Sequence, residues 1–419
     1  MRGSLSNAIS AQQWQPRGEN TLGDLCFKAG IEYDQRSWIF EEGLEHWMGR
    51  TVHLAGGDIE TLELGQPIDG AFDRLYAAFE NGIPSIDDEF RNAAFQYFDQ
   101  YIGSVHAPAA HDHYFICFTP LWNAFMAAGR LDAAEKVWEL AFEPVKEWER
   151  AHPGELIDKG TLCYFWGATA LLRGNLDRGY LLVHQSVEED SRTSRLPVPP
   201  TPSYALVSLN YQKPDQWFRP WVIEQARFFE NFVKDYAATH GRPLTIDDVK
   251  LKFLDKPPNL DAIFLLTFTL ARLRGISGLP DQAKSNAFAG QIELNLLFDL
   301  LLVIDGAIRA VNSSEWKFSK QALFLLEKAG HRLDQRDFDD VHLQFNPANF
   351  QIAIQDALDG TLRSRWRTLD RLQCDVHLAY ELRNSGAHHI ETIPIIWKEF
   401  DRVQRAILRC FCTAVDFLY

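Results

Sequence analysis

From Phe72 onward, apolar residues recur every three or four positions, the period of an α-helix with one buried face. The run 72–81 is predicted to be a helix ended by Gly82. The next run, 85–103, opens on Ser85 as its N-cap, with acidic residues in the first turn. Residues 1–60 hold few periodic runs and are expected to form a loosely structured segment with short helices. Towards the C-terminus, helices are predicted at 260–274, 284–312, 317–332, 348–358, 366–384 and 394–418. The last is the best marked. Pro394 suits a first-turn position, and Ile396, Phe400, Val403, Ile407, Phe411, Val415 and Leu418 make one apolar stripe. Apart from short β pieces near 204–210, no strand-type alternation runs far enough to build a sheet, so the fold class is all-α.

Two segments share a punctuation. In each, one helix ends at a Gly and the next begins at an Asp: Ala128-Gly129-Arg130-Leu131-Asp132 and Arg173-Gly174-Asn175-Leu176-Asp177 match in register. Each is the turn of a helical hairpin, and together they resemble tetratricopeptide-type hairpins, with a longer period; 72–103 is a candidate third copy. The run 194–203, with four prolines, interrupts the pattern and holds the chain extended. The expected organisation is an N-terminal segment at 1–60, a helical repeat-like domain at 61–193, a Pro-rich linker and bridging helix at 194–258, and a helical bundle at 259–419.

Composition narrows the class. Charged residues make up 24% and apolar residues 46% of the 419, ordinary for a globular chain of more than one domain. The net charge of −15 argues against non-specific coating of nucleic acid. The charge is uneven: residues 251–419 hold 20 basic and 21 acidic residues, leaving 22 of the 42 basic and 36 of the 57 acidic residues to the first 250. Any nucleic-acid contact is therefore expected in the near-neutral second half, and the acidic first half is expected to meet protein or to shield the other half. The six cysteines form no CxxC pair and read as free buried thiols in a reducing compartment, the cytoplasm. The N-terminus has no apolar signal region. The most apolar run, 294–310, carries Asn295, Asp299, Asp305 and Arg309, and reads as a core helix rather than a membrane span.

The chemistry concentrates in CDVHLAYELRNSGAHHIETIPIIWKEF. Arg383 and His388 are five residues apart and would point about 140° from one another on an unbroken helix. Asn384-Ser385-Gly386 signals a helix end, which would let both side chains enter one cleft. Arg178/His184, Arg336/His342 and Arg371/His377 have similar spacing, but they lie inside predicted helices or, at 336–342, in an acidic loop. A His near neutral pKa can act as base or acid, and an Arg with paired donors can stabilise a developing anion.

With its Asn, its helix-breaking Gly and its flanking helices, AYELRNSGAHH resembles the R-x(4–6)-H motif of the HEPN superfamily, in the form seen in larger abortive-infection proteins. The resemblance spans roughly 280–419 and implies a HEPN-like helical domain. It also implies metal-independent RNA cleavage in antiviral defence or as a toxin, no cofactor, and a homodimer that pairs two motifs through the C-terminal domain. Arg383, Asn384 and His388 match the motif and are the expected catalytic residues, with Asn384 orienting the Arg or the phosphate. Just upstream, Arg363, Arg365, Arg367 and Arg371 surround Trp366, a combination that grips phosphate and stacks a base. These five are the expected RNA-binding residues; the competing reading is a solvated helix start with Trp366 in the core.

Other clusters carry less. His106, His111, Asp112 and His113 lie too close together for a metal set without an obvious fourth ligand, and read as a loop. GGDIETLELG lacks the Lys-Ser/Thr of a phosphate loop. The rival from another class is a non-catalytic helical adaptor, in which a degenerate HEPN bundle dimerises and the hairpins bind protein.

Overall fold

The computed structural model describes residues 53–54, 57–58, 91, 94–95, 97–99, 101–102, 108–116, 118–127, 129–194, 200–280, 287–314, 317–331, 335–346, 348–365, 367–389 and 394–419. The predicted helix 72–81 and the Ser85 cap lie outside them. The fold is all-α. Among the described residues the only paired strands are a two-residue ribbon, β1 (His53–Leu54) against β2 (Gly57–Asp58). Two compact units divide at Ser203/Tyr204, at the end of the proline-bearing run. No β piece forms near 204–210; Pro202–Val207 is a short helix instead.

The first unit contains α1 (Pro108–Ile116), α2 (Thr119–Ala127), α3 (Leu131–Ala151), α4 (Gly160–Leu172) and α5 (Leu176–Ser194). The predicted hairpins α2–α3 and α4–α5 turn in the same way. Gly129 and Gly174 take φ of +71° and +80°, a left-handed conformation that costs a glycine nothing. After each, an amide reaches back five residues, Arg130 N–H to Phe125 O at 2.9 Å and Asn175 N–H to Ala170 O at 3.0 Å. The hairpins share one core, in which Trp138 stacks on Phe165 at 5.3 Å and Trp122 meets both rings. Buried Glu135 of α3 accepts from Arg173 in the second turn and from Arg178 of α5 at 2.7 Å, tying one hairpin to the other.

The second unit contains α6 (Arg219–His240), α7 (Leu260–Ser277), α8 (Ala287–Val311), α9 (Phe318–Lys328), α10 (Gln335–His342), α11 (Phe350–Asp359), α12 (Arg371–His389), α13 (Pro394–Lys398) and α14 (Phe400–Leu418). The apolar stripe of α14 packs on α6, α8 and α12, so the helix expected to bridge 194–258 builds part of this core. Two sequence expectations are corrected. The acidic loop at 336–342 is helical, because Phe338 and Val341 sit one turn apart and both are buried. The helix expected to stop near Gly386 continues to His389.

Charge is buried at the centre of this unit. Asp375 of α12 is 1% exposed and takes a two-pronged contact from Arg409 of α14, Nε to Oδ2 at 2.7 Å and Nη2 to Oδ1 at 2.8 Å. Arg409 also donates to Asp235 of α6 at 2.9 Å, and His240 Nε2 lies 3.1 Å from Asp375. Removing one member strands its partner away from water. Arg409→Met is expected to lower stability by about 3–5 kcal/mol, read as a lower urea midpoint at unchanged m-value. The double variant Arg409→Met/Asp375→Asn should lose less than the sum of the single losses.

Candidate functional site at the exit of α12

Helix α12 begins with a reciprocal cap. Gln373 N–H donates to Asp370 Oδ1 at 3.0 Å and Asp370 N–H donates to Gln373 Oε1 at 3.1 Å. Every residue from Leu372 to Leu382 is then buried, so the helix is covered around its whole circumference. Arg383 and Asn384 are the first to emerge, both half-buried. The guanidinium of Arg383 lies over the Phe318 ring, 5.3 Å from its centre, and Phe318 stacks on Tyr380 at 6.0 Å. Tyr380 is hydrogen-bonded with Asn384 and Ser319, and burial raises its phenol. Two of the three expected catalytic residues thus meet one aromatic pair.

The third relates to them differently from the sequence expectation. Asn384-Ser385-Gly386 does not end the helix, so positions 383 and 388 leave one continuous axis about 140° apart. A single interior glycine costs only about 1 kcal/mol against Ala, which a well-packed helix absorbs. Position 388 belongs instead to the series 377, 381, 384 and 388, the i, i+4, i+7, i+11 stripe of one helix face. Asn384 and His388 share a face by register, and Arg383 leaves on another.

The stripe carries a group that the spacing argument passed over. His342 ends α10, and its Nδ1 lies 2.7 Å from Oε1 of Glu381. The carboxylate is 1% exposed, whereas 49% of the imidazole surface is open. The His342 ring also sits edge-on to Tyr380 at 5.9 Å. One turn back, His377 is fully buried beside Phe338 at 4.6 Å, and neither ring nitrogen has a hydrogen-bond partner. The sequence hid this pair because its members are 39 residues apart and DQRDFDDVH offers only two apolar positions.

The expected RNA-binding residues divide. A turn closed by the Arg363–Thr368 bridge, with Leu369 N–H donating to Leu362 O at 2.9 Å, leaves Arg363, Arg365 and Arg367 exposed and buries Leu362, Ser364 and Leu369. The turn docks on α10 and the turn that follows it. Arg365 N–H donates to Asp340 at 2.9 Å, and the Gln344 side chain donates to the Arg363 carbonyl. Arg371 is turned inward, donating to Ala357 O at 3.3 Å and lying 3.7 Å from Asp375. Trp366 lies outside the described residues.

Elsewhere, His111, Asp112 and His113 lie on α1 rather than in the expected loop, and each meets a different partner: the Asp158 amide, the Thr161 hydroxyl and the Tyr101 ring. His106 lies outside the described residues. Among the described residues, no group of three or more His, Cys, Asp and Glu is placed to hold a metal ion. Cys163, Cys374, Cys410 and Cys412 are buried free thiols, and burial pushes each one up. Among the described residues, no helix is long and apolar enough to cross a membrane. No protein-family model, curated protein or solved structure matches the chain.

Burial lifts the Glu381 carboxyl to about 7 against the pull of the His342 hydrogen bond, and burial holds the His377 imidazole down at about 3. The unfolded chain releases these protons near 4.5 and 6.5. Between pH 4.5 and 7 the folded chain therefore carries extra proton on Glu381, which makes stability fall as pH rises. Between pH 3 and 6.5 it lacks proton on His377, which makes stability rise with pH. The two slopes oppose each other across pH 4.5–6.5. Glu381→Gln should leave stability rising with pH there and His377→Leu should leave it falling, each by up to about 1.4 kcal/mol per pH unit. Urea midpoints at pH 5, 5.5 and 6 measure both; slopes equal to wild type contradict the assignment.

Proposed function

We propose that this chain is a metal-independent endoribonuclease of HEPN type, which cuts RNA by attack of a 2′-oxygen on the adjacent phosphorus, in antiviral defence or as a toxin. The observation that carries the reading is the way α12 ends. A helix sealed on all sides from Leu372 to Leu382 delivers Arg383 and Asn384 to its emerging end, at the head of the R-N-x-x-x-H sequence. Arg383 stabilises the charge that builds on the phosphorane, Asn384 orients the phosphate, and His388 moves a proton. The exposed Arg363, Arg365 and Arg367 supply phosphate contacts, in a half of the chain whose net charge is near zero.

The angle between positions 383 and 388 favours a homodimer through the C-terminal unit. One phosphate is met more readily by the Arg of one copy and the His of the other than by two residues facing apart on one axis. The N-terminal hairpins, in the acidic half, are the place for a regulatory protein or antitoxin to act, and the cytoplasm is the expected compartment.

His388→Ala and Arg383→Ala are each expected to slow cleavage of a single-stranded RNA in EDTA by about 10²–10⁴-fold and to relieve growth arrest on expression. Mixing the two inactive variants should restore cleavage, because one of the two shared sites in the mixed dimer keeps both residues. Wild-type rates in His388→Ala would remove the nuclease reading and leave the helical adaptor. Absence of rescue on mixing would place Arg and His in the same copy.

A further inference from the structure

Cleavage of an RNA phosphodiester moves two protons, one off the 2′-OH and one onto the leaving 5′-oxygen. The motif offers one histidine of the required kind. The stripe 377, 381, 384, 388 brings another into line through a side-chain contact. His342 is anchored by Glu381 at one position of the stripe, Asn384 lies about one turn further on, and position 388 about one turn beyond that, roughly 6 Å per step. Above about pH 7, where Glu381 is ionised, Nδ1–H donates to the buried carboxylate and the ring is fixed in one tautomer with the lone pair on Nε2, which is how an imidazole is set up as a general base. The asymmetry of exposure fits that use. The carboxylate is sealed at 1%, so it orients without meeting substrate, while half of the imidazole surface is open.

Resting on the nuclease reading above, we propose that His342 is the second proton-transfer residue of the RNA-cleaving site and that Glu381 is its positioning residue. In the step, His342 Nε2 takes the proton of the 2′-OH as the 2′-oxygen bonds to phosphorus. The P–O5′ bond breaks, and the 5′-oxygen takes a proton from the imidazolium of His388, leaving a 2′,3′-cyclic phosphate and a 5′-OH. The Arg363–Arg367 turn supports the placement, since Asp340 and Gln344, two residues to either side of His342, both hold it. The phosphate-gripping surface and the base then belong to one structural block. Among the described residues, the titratable groups found against His342 are all on α12: Glu381 and Tyr380 in contact and His377 through its charge.

The test compares wild type, His342→Ala, His342→Gln, Glu381→Gln and His388→Ala on a single-stranded RNA oligonucleotide in EDTA from pH 5 to 9, with circular dichroism confirming the fold. His342→Ala and His342→Gln should lower kcat about 100-fold or more with KM little changed, and added imidazole should restore part of the rate in His342→Ala. Glu381→Gln should lower kcat about 10-fold and displace the limb of the pH–rate profile that reports the base. Nitrogen-15 NMR of histidine-labelled protein at pH 8, with no RNA present, should show His342 as the Nδ1–H tautomer in wild type and not in Glu381→Gln. Cleavage by both His342 variants within about threefold of wild type, with His388→Ala inactive, would overturn this inference and leave the nuclease standing. A wild-type protein that leaves the RNA intact would overturn both.

Discussion

The buried contact between Asp375 and Arg409 sets the geometry on which the C-terminal unit depends. Two charges inside an apolar core are tolerated only when each meets the other with satisfied hydrogen bonds, because an uncompensated partner costs several kcal/mol. Here the carboxylate receives both prongs of the guanidinium, and Asp235 and His240 complete the set from a third helix. Such a contact allows little sliding, since moving α12 by one residue would swing Asp375 about 100° away from Arg409. The register of α12 is thereby fixed, and with it the point, two turns later, at which Arg383 and Asn384 leave the core.

The same helix buries more polarity than its packing needs. Gln373, Asp375, His377 and Glu381 are all nearly inaccessible, yet they are treated differently. Asp375 is paired on three sides, Glu381 has His342, and His377 has no hydrogen-bond partner. Polar groups in these positions cost stability relative to leucine or valine, and a chain selected for stability alone would not keep them. Asp375 sits about 200° from His377 around the axis and serves the core, whereas His377 and Glu381 lie on the stripe that runs toward the exposed end of the helix. Two perturbed titratable groups in that position mark a candidate site.

How much was legible from the residues follows from which forces are local. The paired Gly turns of the first unit and the apolar stripe of α14 depend on neighbours within a turn or two, and the periodicity displays them directly. Helix α10 was missed because a helix needs only Phe338 and Val341 to hold it once a core is present, and two apolar residues among acids read as a loop. Gly386 misled in the opposite direction. As a stop signal it competes with a helix already anchored by eleven buried positions, and the propensity of one residue does not outweigh that packing. The Arg363–Arg367 group was found by composition, but its dependence on Asp340 and Gln344 was not, because contacts across 20 residues leave no periodic trace.

An unbroken α12 changes what the motif requires. Had the chain kinked at Gly386, one copy would have held a guanidinium and an imidazole over the same phosphate, and the spacing between them would have been the whole argument. On a straight axis the two roles separate. The stripe of His377, Glu381, Asn384 and position 388 gathers hydrogen-bonding and titratable residues, while Arg383 leaves over Phe318 on a different side. A substrate that needs both must either wrap the end of the helix or sit where two such ends meet. On the nuclease reading proposed above, the second arrangement would demand less distortion of an RNA backbone and would place the positive charge opposite the histidines rather than beside them, where it would depress their basicity. The divergence that counts against a one-chain site is therefore the geometry that a shared site would use.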